Sequence, residues 1–102
     1  MDKIVFITGA SSGIGAGCAR KFASQGASLI LNARNVNKLS ALKEELEKQY
    51  GAKIYLLPFD VRDRKAATSA LESLPKEWQS IDILVNNAGL VIGTDKEQEG
   101  SL

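Results

Sequence analysis

Histidine is absent from this sequence of 102 residues, and Cys18 is its only cysteine. A single cysteine cannot form a disulfide within the chain. Without histidine, a Cys/His zinc site and a Ser-His or Cys-His nucleophile are excluded as well. We expect no metal site. Cys18 falls on the apolar face of a predicted helix, a full turn from its start, and we interpret it as a small core residue, with a reactive thiol as the alternative.

Long apolar runs and an excess of one charge are also missing. No apolar run approaches the roughly 20 residues that cross a membrane, and the first residues lack the basic and apolar regions of a signal peptide. The formal net charge is +1, with 25% charged and 44% hydrophobic residues. This balance gives no reason to expect nucleic acid or a membrane surface as a partner, and we expect a cytoplasmic protein.

The sequence does contain a glycine-rich turn between a predicted strand and a predicted helix. An apolar run at 4–7 precedes the turn, a helical pattern to about Gln25 follows it, and the turn reads Thr8-Gly9-Ala10-Ser11-Ser12-Gly13-Ile14-Gly15. Such a turn binds phosphate, because the missing side chains let the backbone approach the ligand and the first helical amides have no partner within the helix. The alternative is a plain loop, where glycines also collect.

The three glycines of this turn have different expected roles. Gly9 is expected to allow the sharp bend, Gly13 to admit a pyrophosphate, and Gly15 to let the helix pack closely on the strand. The spacing differs from the commoner G-x-G-x-x-G, but the strand before it and the helix after it are the context that phosphate binding requires.

Beyond the turn, short apolar runs alternate with amphipathic stretches, which predicts the order βαβαβαβ and a parallel sheet. The later strands are expected at 28–33, 53–59 and 81–85, and Trp78 is expected to pack near the entry to the last strand. The first helix is expected to end at Gly26, and the second to begin after an Asn35 cap and end at Gly51. The residues expected on the buried faces are Ile14, Cys18, Ala19, Phe22, Ala23, Leu39, Leu42, Leu46 and Tyr50.

The residues at the end of the second strand indicate which dinucleotide the chain accepts. A carboxylate about 20 positions beyond the glycine turn would bind the ribose hydroxyls of NAD, whereas an arginine there can pair with the 2′-phosphate of NADP. This chain has Asn32, Ala33 and Arg34 at that place, and no carboxylate. The sequence therefore favours NADP over NAD, with a solvated strand-end charge as the alternative interpretation of Arg34.

Asp60 follows the third predicted strand and is expected on the same rim of the sheet as Gly9 and Arg34, where its carboxylate can accept a hydrogen bond from an adenine amino group. Its alternative role is to cap a helix from about Asp63 to Leu74, and the two roles are compatible. The fourth strand is followed by Asn86-Asn87-Ala88-Gly89, which offers amide groups and small residues beside which a ligand can pass.

Together, the glycine turn, Asp60-Val61 and Asn86-Asn87-Ala88-Gly89 resemble the cofactor half of the short-chain dehydrogenase/reductase family, from Asp2 to about Gly93. The resemblance implies one Rossmann-like, doubly wound parallel sheet over residues 1–102, with strand order 3-2-1-4. It implies that Gly9, Ala10, Ser11, Ser12, Gly13 and Ile14 wrap the pyrophosphate and the adenosine ribose. It also implies that Arg34 and Asn35 meet the 2′-phosphate, that Asp60 and Val61 border the adenine, and that Asn87, Ala88 and Gly89 lie along the ribose nearer the nicotinamide.

The run Leu74-Pro75-x-Glu77-Trp78 is similar to the branch of the family that oxidises serine and other 3-hydroxy acids with NADP. The implied reaction is hydride transfer between the nicotinamide and a hydroxyl or carbonyl carbon of a small substrate. Family members commonly form homo-oligomers, and the same is expected of the parent enzyme.

The sequence departs from the family in its catalytic residues. Members use a tyrosine with a lysine four residues later, but Tyr50 and Tyr55 are followed at that distance by Ile54 and Phe59. We therefore expect no catalytic residue in this chain, no dehydrogenase activity from it alone, and a larger parent enzyme of which it is the first part. The alternative is a non-catalytic dinucleotide-binding module or sensor.

Overall fold

The computed structural model describes residues 2–87. Within that range, strands and helices alternate as the sequence predicts. The elements in chain order are β1 (Ile4–Thr8), α1 (Gly13–Ser24), β2 (Ser28–Leu31), α2 (Val36–Tyr50), β3 (Ile54–Leu56), α3 (Arg64–Glu72), a 3-10 turn (Lys76–Trp78) and β4 (Ile83–Asn86). No helix in this described range is both long enough and apolar enough to cross a membrane.

The strands form one parallel sheet in the order β3-β2-β1-β4, which confirms the predicted 3-2-1-4 arrangement. Val5 of β1 is in register with Leu29 of β2 on one side and with Ile83 of β4 on the other. Because all strands run in the same direction, the segments that follow them meet at one edge of the sheet. We call this edge, where the chain leaves β1, β2, β3 and β4, the carboxyl rim.

Helices cover both faces of the sheet, as a doubly wound fold requires. On one face α1 and α2 bury a core that includes Ala19, Leu39 and Leu46 with the inward residues of β1 and β2. On the other face α3 and the 3-10 turn enclose Phe6 and Trp78. Trp78 is 7% exposed, which confirms its predicted packing role.

Side chains cap α1, α2 and α3 at their N-termini. Ser12, Asn35 and Asp63 accept hydrogen bonds of 3.1 Å from the amides of Gly15, Lys38 and Ala66, respectively. Each bond satisfies an amide that has no partner inside its helix. The predicted Asn35 cap is confirmed, and so are the predicted ends of α1 and α2 at Gly26 and Gly51, both with positive φ.

Two residues expected in the core are exposed instead. Ile14 is 74% exposed and Tyr50 is 38% exposed. The buried face of α1 consists of Gly15, Ala19 and Ala23, and Ile14 is rotated by about 100° from that line because it directly precedes Gly15. Tyr50 is the last residue of α2, directly before the Gly51 cap. Cys18 is only partly buried but packs against the first core, in agreement with a structural role.

Candidate functional site

A cavity of about 350 Å³ lies at the carboxyl rim, between the ends of β1, β2 and β3. Its lining residues are Gly9, Ser11, Asn32, Ala33, Arg34, Phe59, Asp60, Val61 and Arg62. A second groove of about 470 Å³ adjoins it, lined by Ser11, Arg34, Asn35 and Lys38. Since Ser11 and Arg34 line both, we call the first the base cavity and the second the cationic groove. The structure therefore brings together the glycine turn, Arg34 and Asp60, as expected from strand direction.

The glycine turn is held by hydrogen bonds among its own residues and from Asn87, which follows β4. Gly9 has φ of 62°, a conformation in which a side chain would be strained, and it makes the predicted bend. The Ser12 hydroxyl donates to the carbonyl oxygen of Gly9 at 2.9 Å. Nδ2 of Asn87 donates to the same carbonyl oxygen at 3.1 Å and to the Ser12 hydroxyl at 2.9 Å. The turn is thus fixed before any ligand arrives.

Two glycines of α1 meet different surroundings. A Cβ added at Gly15 would overlap the carbonyl oxygen of Gly9 and lie 2.9 Å from Cα of Ala10, which confirms the predicted close packing of helix on turn. A Cβ added at Gly13 would meet nothing within 4 Å. Gly13 also has no positive φ. The fold itself therefore does not require glycine at position 13, and the space in front of it is available to a ligand.

Amide donors at the start of α1 lie next to this space. Gly13 and Ile14 are the first two residues of the helix, and their amides have no carbonyl four residues earlier within it. The positive end of the helix dipole lies at the same place. The amide of Ala10, in contrast, donates to the carbonyl oxygen of Asn32 at 2.7 Å, and Ala10 is fully buried. Ala10 supports the turn through its backbone, whereas the first helical amides have no partner inside the helix and remain available to a ligand.

Asn32 organises the rim and was not singled out by the sequence as more than a non-acidic residue. Its side chain is 1% exposed. Oδ1 accepts from the amide of Gly9 at 3.4 Å, and Nδ2 donates to the carbonyl oxygens of Leu57 and Phe59, both at 3.1 Å. It thereby ties together the segments that follow β1, β2 and β3. A polar residue at the end of an apolar strand was the only signal for this role.

Asp60 is surrounded by two arginines, and it does not cap α3. Its Oδ2 lies 2.9 Å from Nη2 of Arg62 and 3.9 Å from Nη1 of Arg34. The hydrogen bonds from the Arg62 side chain, followed by that from the Arg62 amide, lower the pKa of Asp60 to about 2. The alternative role of Asp60 as a helix cap is wrong, because α3 begins at Arg64 and Asp63 stands at the capping position.

Arg34 and Asn35 stand at the start of α2, beside the cationic groove. The Arg34 side chain is 67% exposed, so it can reach an anion in the groove at little cost. Oδ1 of Asn35 accepts from the amide of Lys38, which leaves Nδ2 as the group that Asn35 can offer to an anion. Lys38, in the first turn of α2, adds a second cation to the groove, a role that the sequence motifs do not indicate.

The remaining predicted site residues divide into two groups. Val61 is partly buried, lines the base cavity and packs against the second core. Ala88 and Gly89 lie outside the described residues, and their predicted place along the nicotinamide ribose stays a prediction. Within residues 2–87, no group of three or more Asp, Glu, Cys or His side chains is placed to hold a metal ion.

The parallel sheet, its strand order and the glycine turn after β1 together define a Rossmann-like α/β fold. The family model of the short chain dehydrogenases matches residues 3–101. The chain belongs to this family. The resemblance stated from the sequence motifs is confirmed.

Individual relatives carry names that describe related reactions. The NADP-dependent 3-hydroxy acid dehydrogenase of Escherichia coli (strain K12) is 43% identical over 99 residues, which are 97% of this chain and 38% of that protein. The crystal structure of serine dehydrogenase from Escherichia coli is 44% identical, with a TM-score of 0.75 over 82% of this chain and 37% of that chain.

A third similar protein is L-sorbose reductase from Gluconobacter frateurii, solved in complex with NADPH and L-sorbose. It is 34% identical and gives a TM-score of 0.80 over 95% of this chain and 37% of that chain. The chain therefore spans less than two fifths of the length of each of these three proteins.

Proposed function

We propose that this chain binds NADP as the cofactor-binding part of a short-chain oxidoreductase. The observation that carries the proposal is the open space at Gly13: a glycine that the fold does not require stands at a helix start, where amides without partners in the helix can bind an anion. NADP supplies a nicotinamide that gives or takes a hydride at a hydroxyl or carbonyl carbon. The part of this chain is to bind and orient it.

The pyrophosphate is proposed to lie at the start of α1. The amides of Gly13 and Ile14 would donate to it, with the helix dipole behind them and Ser11 and Ser12 beside them. The bonds from Asn87 and Ser12 to the turn keep this backbone in place, which reduces the entropy lost on binding. Gly9 and Ala10 contribute through the shape of the turn.

The adenosine end is proposed to lie across the two hollows of the carboxyl rim. The adenine would occupy the base cavity beside Asp60 and Val61, and the 2′-phosphate would enter the cationic groove. Arg34, Lys38 and Nδ2 of Asn35 would hold that phosphate. The preference for NADP over NAD follows from these donors and from the absence of a carboxylate at the end of β2.

The substrate and the setting of the parent enzyme are proposed from the relatives and the sequence. Proteins named for 3-hydroxy acids and serine among the similar proteins support a small hydroxy acid or its carbonyl counterpart. The family resemblance supports a homo-oligomer, and the sequence composition supports a cytoplasmic enzyme. Asn87, Ala88 and Gly89 are proposed to lie along the ribose nearer the nicotinamide.

Titration of the 102-residue chain with NADPH, followed by the fluorescence of the coenzyme, tests the proposal. We expect saturable binding, and weaker binding of NADH under the same conditions. Absence of saturable binding of either coenzyme to the folded chain, with folding checked by circular dichroism, would contradict the proposal. Equal affinity for the two would leave dinucleotide binding in place and overturn the preference for NADP.

A further inference from the structure

Arg62 lines the base cavity beside Asp60, and nothing in the sequence motifs gives it a role. We propose that Arg62 determines how the base of the coenzyme is recognised: its guanidinium, held by Asp60, forms the surface on which the purine stacks. Asp60 is then a positioning residue that acts through Arg62. The proposal rests on the proposed function, because it concerns the same coenzyme.

The contacts of Asp60 are nearly filled by Arg62 alone. Oδ1 accepts from the Arg62 amide at 2.9 Å and from Nε at 3.1 Å. Oδ2 accepts from Nη2 at 2.9 Å and from the same Nε at 3.3 Å. A carboxylate offers about four lone-pair sites, and three N–H groups of Arg62 take up most of them, with the single Nε–H shared between the two oxygens. An adenine amino group would have to compete with these charge-assisted bonds to reach Asp60.

The same bonds fix the plane of the guanidinium. The backbone amide, Nε and Nη2 of Arg62 all donate to the carboxylate of Asp60. The orientation of the guanidinium is therefore set before the base arrives. The side chain is 74% exposed, which leaves guanidinium surface open for a partner at the cavity. Guanidinium planes stack on aromatic rings, and a surface that is already placed costs less entropy to use.

Stacking and carboxylate recognition differ in how they treat the base. Every purine presents the same kind of flat ring face, whatever groups stand at its edge. Stacking on Arg62 therefore tolerates changes at the ring edge. A carboxylate that accepts from the adenine amino group would reject hypoxanthine, which has a carbonyl oxygen at that position. Loss of such a charge-assisted bond typically weakens binding roughly 10- to 100-fold.

The experiment compares NADPH with its hypoxanthine counterpart, deamino-NADPH, in equilibrium titrations of the 102-residue chain. The variants are Arg62→Ala, Arg62→Lys and the control Arg64→Ala. Arg64 is an exposed arginine at the start of α3 that does not line the cavity, so its variant loses the same charge. Arg62→Lys keeps the positive charge but lacks the planar guanidinium. It also keeps the test informative should Arg62→Ala not fold.

We expect the unaltered chain and Arg64→Ala to bind the two coenzymes within about threefold of each other. Arg62→Ala should weaken deamino-NADPH about tenfold and NADPH less, because the released Asp60 can then accept from the adenine amino group. Arg62→Lys should also weaken deamino-NADPH.

Three outcomes would overturn the inference. In the first, the unaltered chain binds NADPH at least tenfold more tightly than deamino-NADPH, and Arg62→Ala binds NADPH as tightly as the unaltered chain or more tightly. Arg62 would then only compete with the adenine amino group for Asp60. In the second, Arg64→Ala weakens binding as much as Arg62→Ala, so that only net charge matters. In the third, neither Arg62 variant changes the affinity for either coenzyme. Absence of binding to the unaltered chain would be a failure of the proposed function instead.

Discussion

Gly13 and Gly15 lie two residues apart in the first turn of α1, yet only one of them is required by the fold. A Cβ at Gly15 would overlap the carbonyl oxygen of Gly9, whereas a Cβ at Gly13 would meet nothing within 4 Å. Within this one motif, Gly15 is therefore assigned to packing and Gly13 to ligand binding. It allows the two roles to be tested by different measurements.

The first prediction is that Gly15→Ala destabilises the protein. The added methyl group forces the helix away from the turn, and overpacking of this kind typically costs about 1 to 3 kcal/mol. Gly17→Ala is the matched control, because a Cβ at Gly17 in the same helix meets nothing within 4 Å. It should be neutral or stabilising by about 0.5 to 1 kcal/mol. Urea unfolding measures the change in the free energy of unfolding of both variants. Equal changes would show that the close packing at Gly15 does not make a side chain there costly.

The second prediction is that Arg34→Asp inverts the preference between NADPH and NADH. A charge-assisted hydrogen bond contributes about 1.5 to 3 kcal/mol, and solvent screening at a side chain that is 67% exposed brings the expected loss to the lower end, about tenfold. The new carboxylate repels the 2′-phosphate and accepts from the ribose hydroxyls of NADH. The ratio of dissociation constants at one ionic strength measures the change.

Lys38 and Ser11 share the cationic groove, so Arg34→Ala alone should have a smaller effect than Arg34→Asp. Arg64→Asp, which makes the same charge change outside the groove, is the control. An unchanged ratio in Arg34→Asp would mean that Arg34 is only a solvated charge at the end of β2.

The third prediction concerns the acid range. Hydrogen bonds from the Arg62 side chain, then from its amide, lower the pKa of Asp60 to about 2 from an ordinary value of 3.8. Because the folded-state pKa lies below the unfolded one, the pair stabilises the fold above about pH 4, and this contribution is lost as the pH falls towards 2. In an NMR titration of the Asp60 carboxyl carbon, Arg62→Ala should raise the midpoint towards 3.8. An unchanged midpoint would show that the pair does not form in solution.

The fourth prediction is that Asn32→Ala is strongly destabilising. The change removes three hydrogen bonds of a side chain that is 1% exposed and leaves the amide of Gly9 and two carbonyl oxygens without that partner. Buried groups without partners cost about 1 to 3 kcal/mol each, and water entering the cavity offsets part of this. Asn37→Ala, an exposed position in the first turn of α2, is the control and should change stability by less than about 0.5 kcal/mol. Thermal unfolding of the two variants is the measurement, and similar midpoints would contradict the role given to Asn32.

Sequence patterns within single helices and strands predicted most of the fold, because they depend on interactions between residues close in sequence. The alternation of apolar runs with amphipathic stretches, the Asn35 cap and the helix ends at Gly26 and Gly51 all follow from nearby residues. The predicted burial of Ile14 is wrong because periodicity alone does not say which residue of a first turn faces the sheet. Side-chain contacts between distant segments could not be predicted at all, and the bonds of Asn32 and Asn87 at the rim are of this kind.

The carboxyl rim was predictable for a different reason. Parallel strands direct their ends to one edge, so Gly9, Arg34 and Asp60 had to approach one another once the order of elements was known. Which donors fill the carboxylate of Asp60 depends on the rotamer of Arg62, and no pattern in the sequence encodes it. The structure therefore adds the pairing of Asp60 with Arg62 to what the motif predicts, and the role of Asp60 in base recognition stays a proposal.

The central claim is that the space in front of Gly13 receives the pyrophosphate of the coenzyme. Its most direct test is the dissociation constant for NADPH of three proteins at one ionic strength: the unaltered chain, Gly13→Val and Gly17→Val. A valine at either position meets open space at its Cβ, so both variants should keep the fold by circular dichroism. We expect Gly13→Val to lose at least about 100-fold in affinity, since two or more charge-assisted bonds are blocked, and Gly17→Val to stay within about twofold. Unchanged affinity in Gly13→Val, or equal losses in the two variants, would contradict the account.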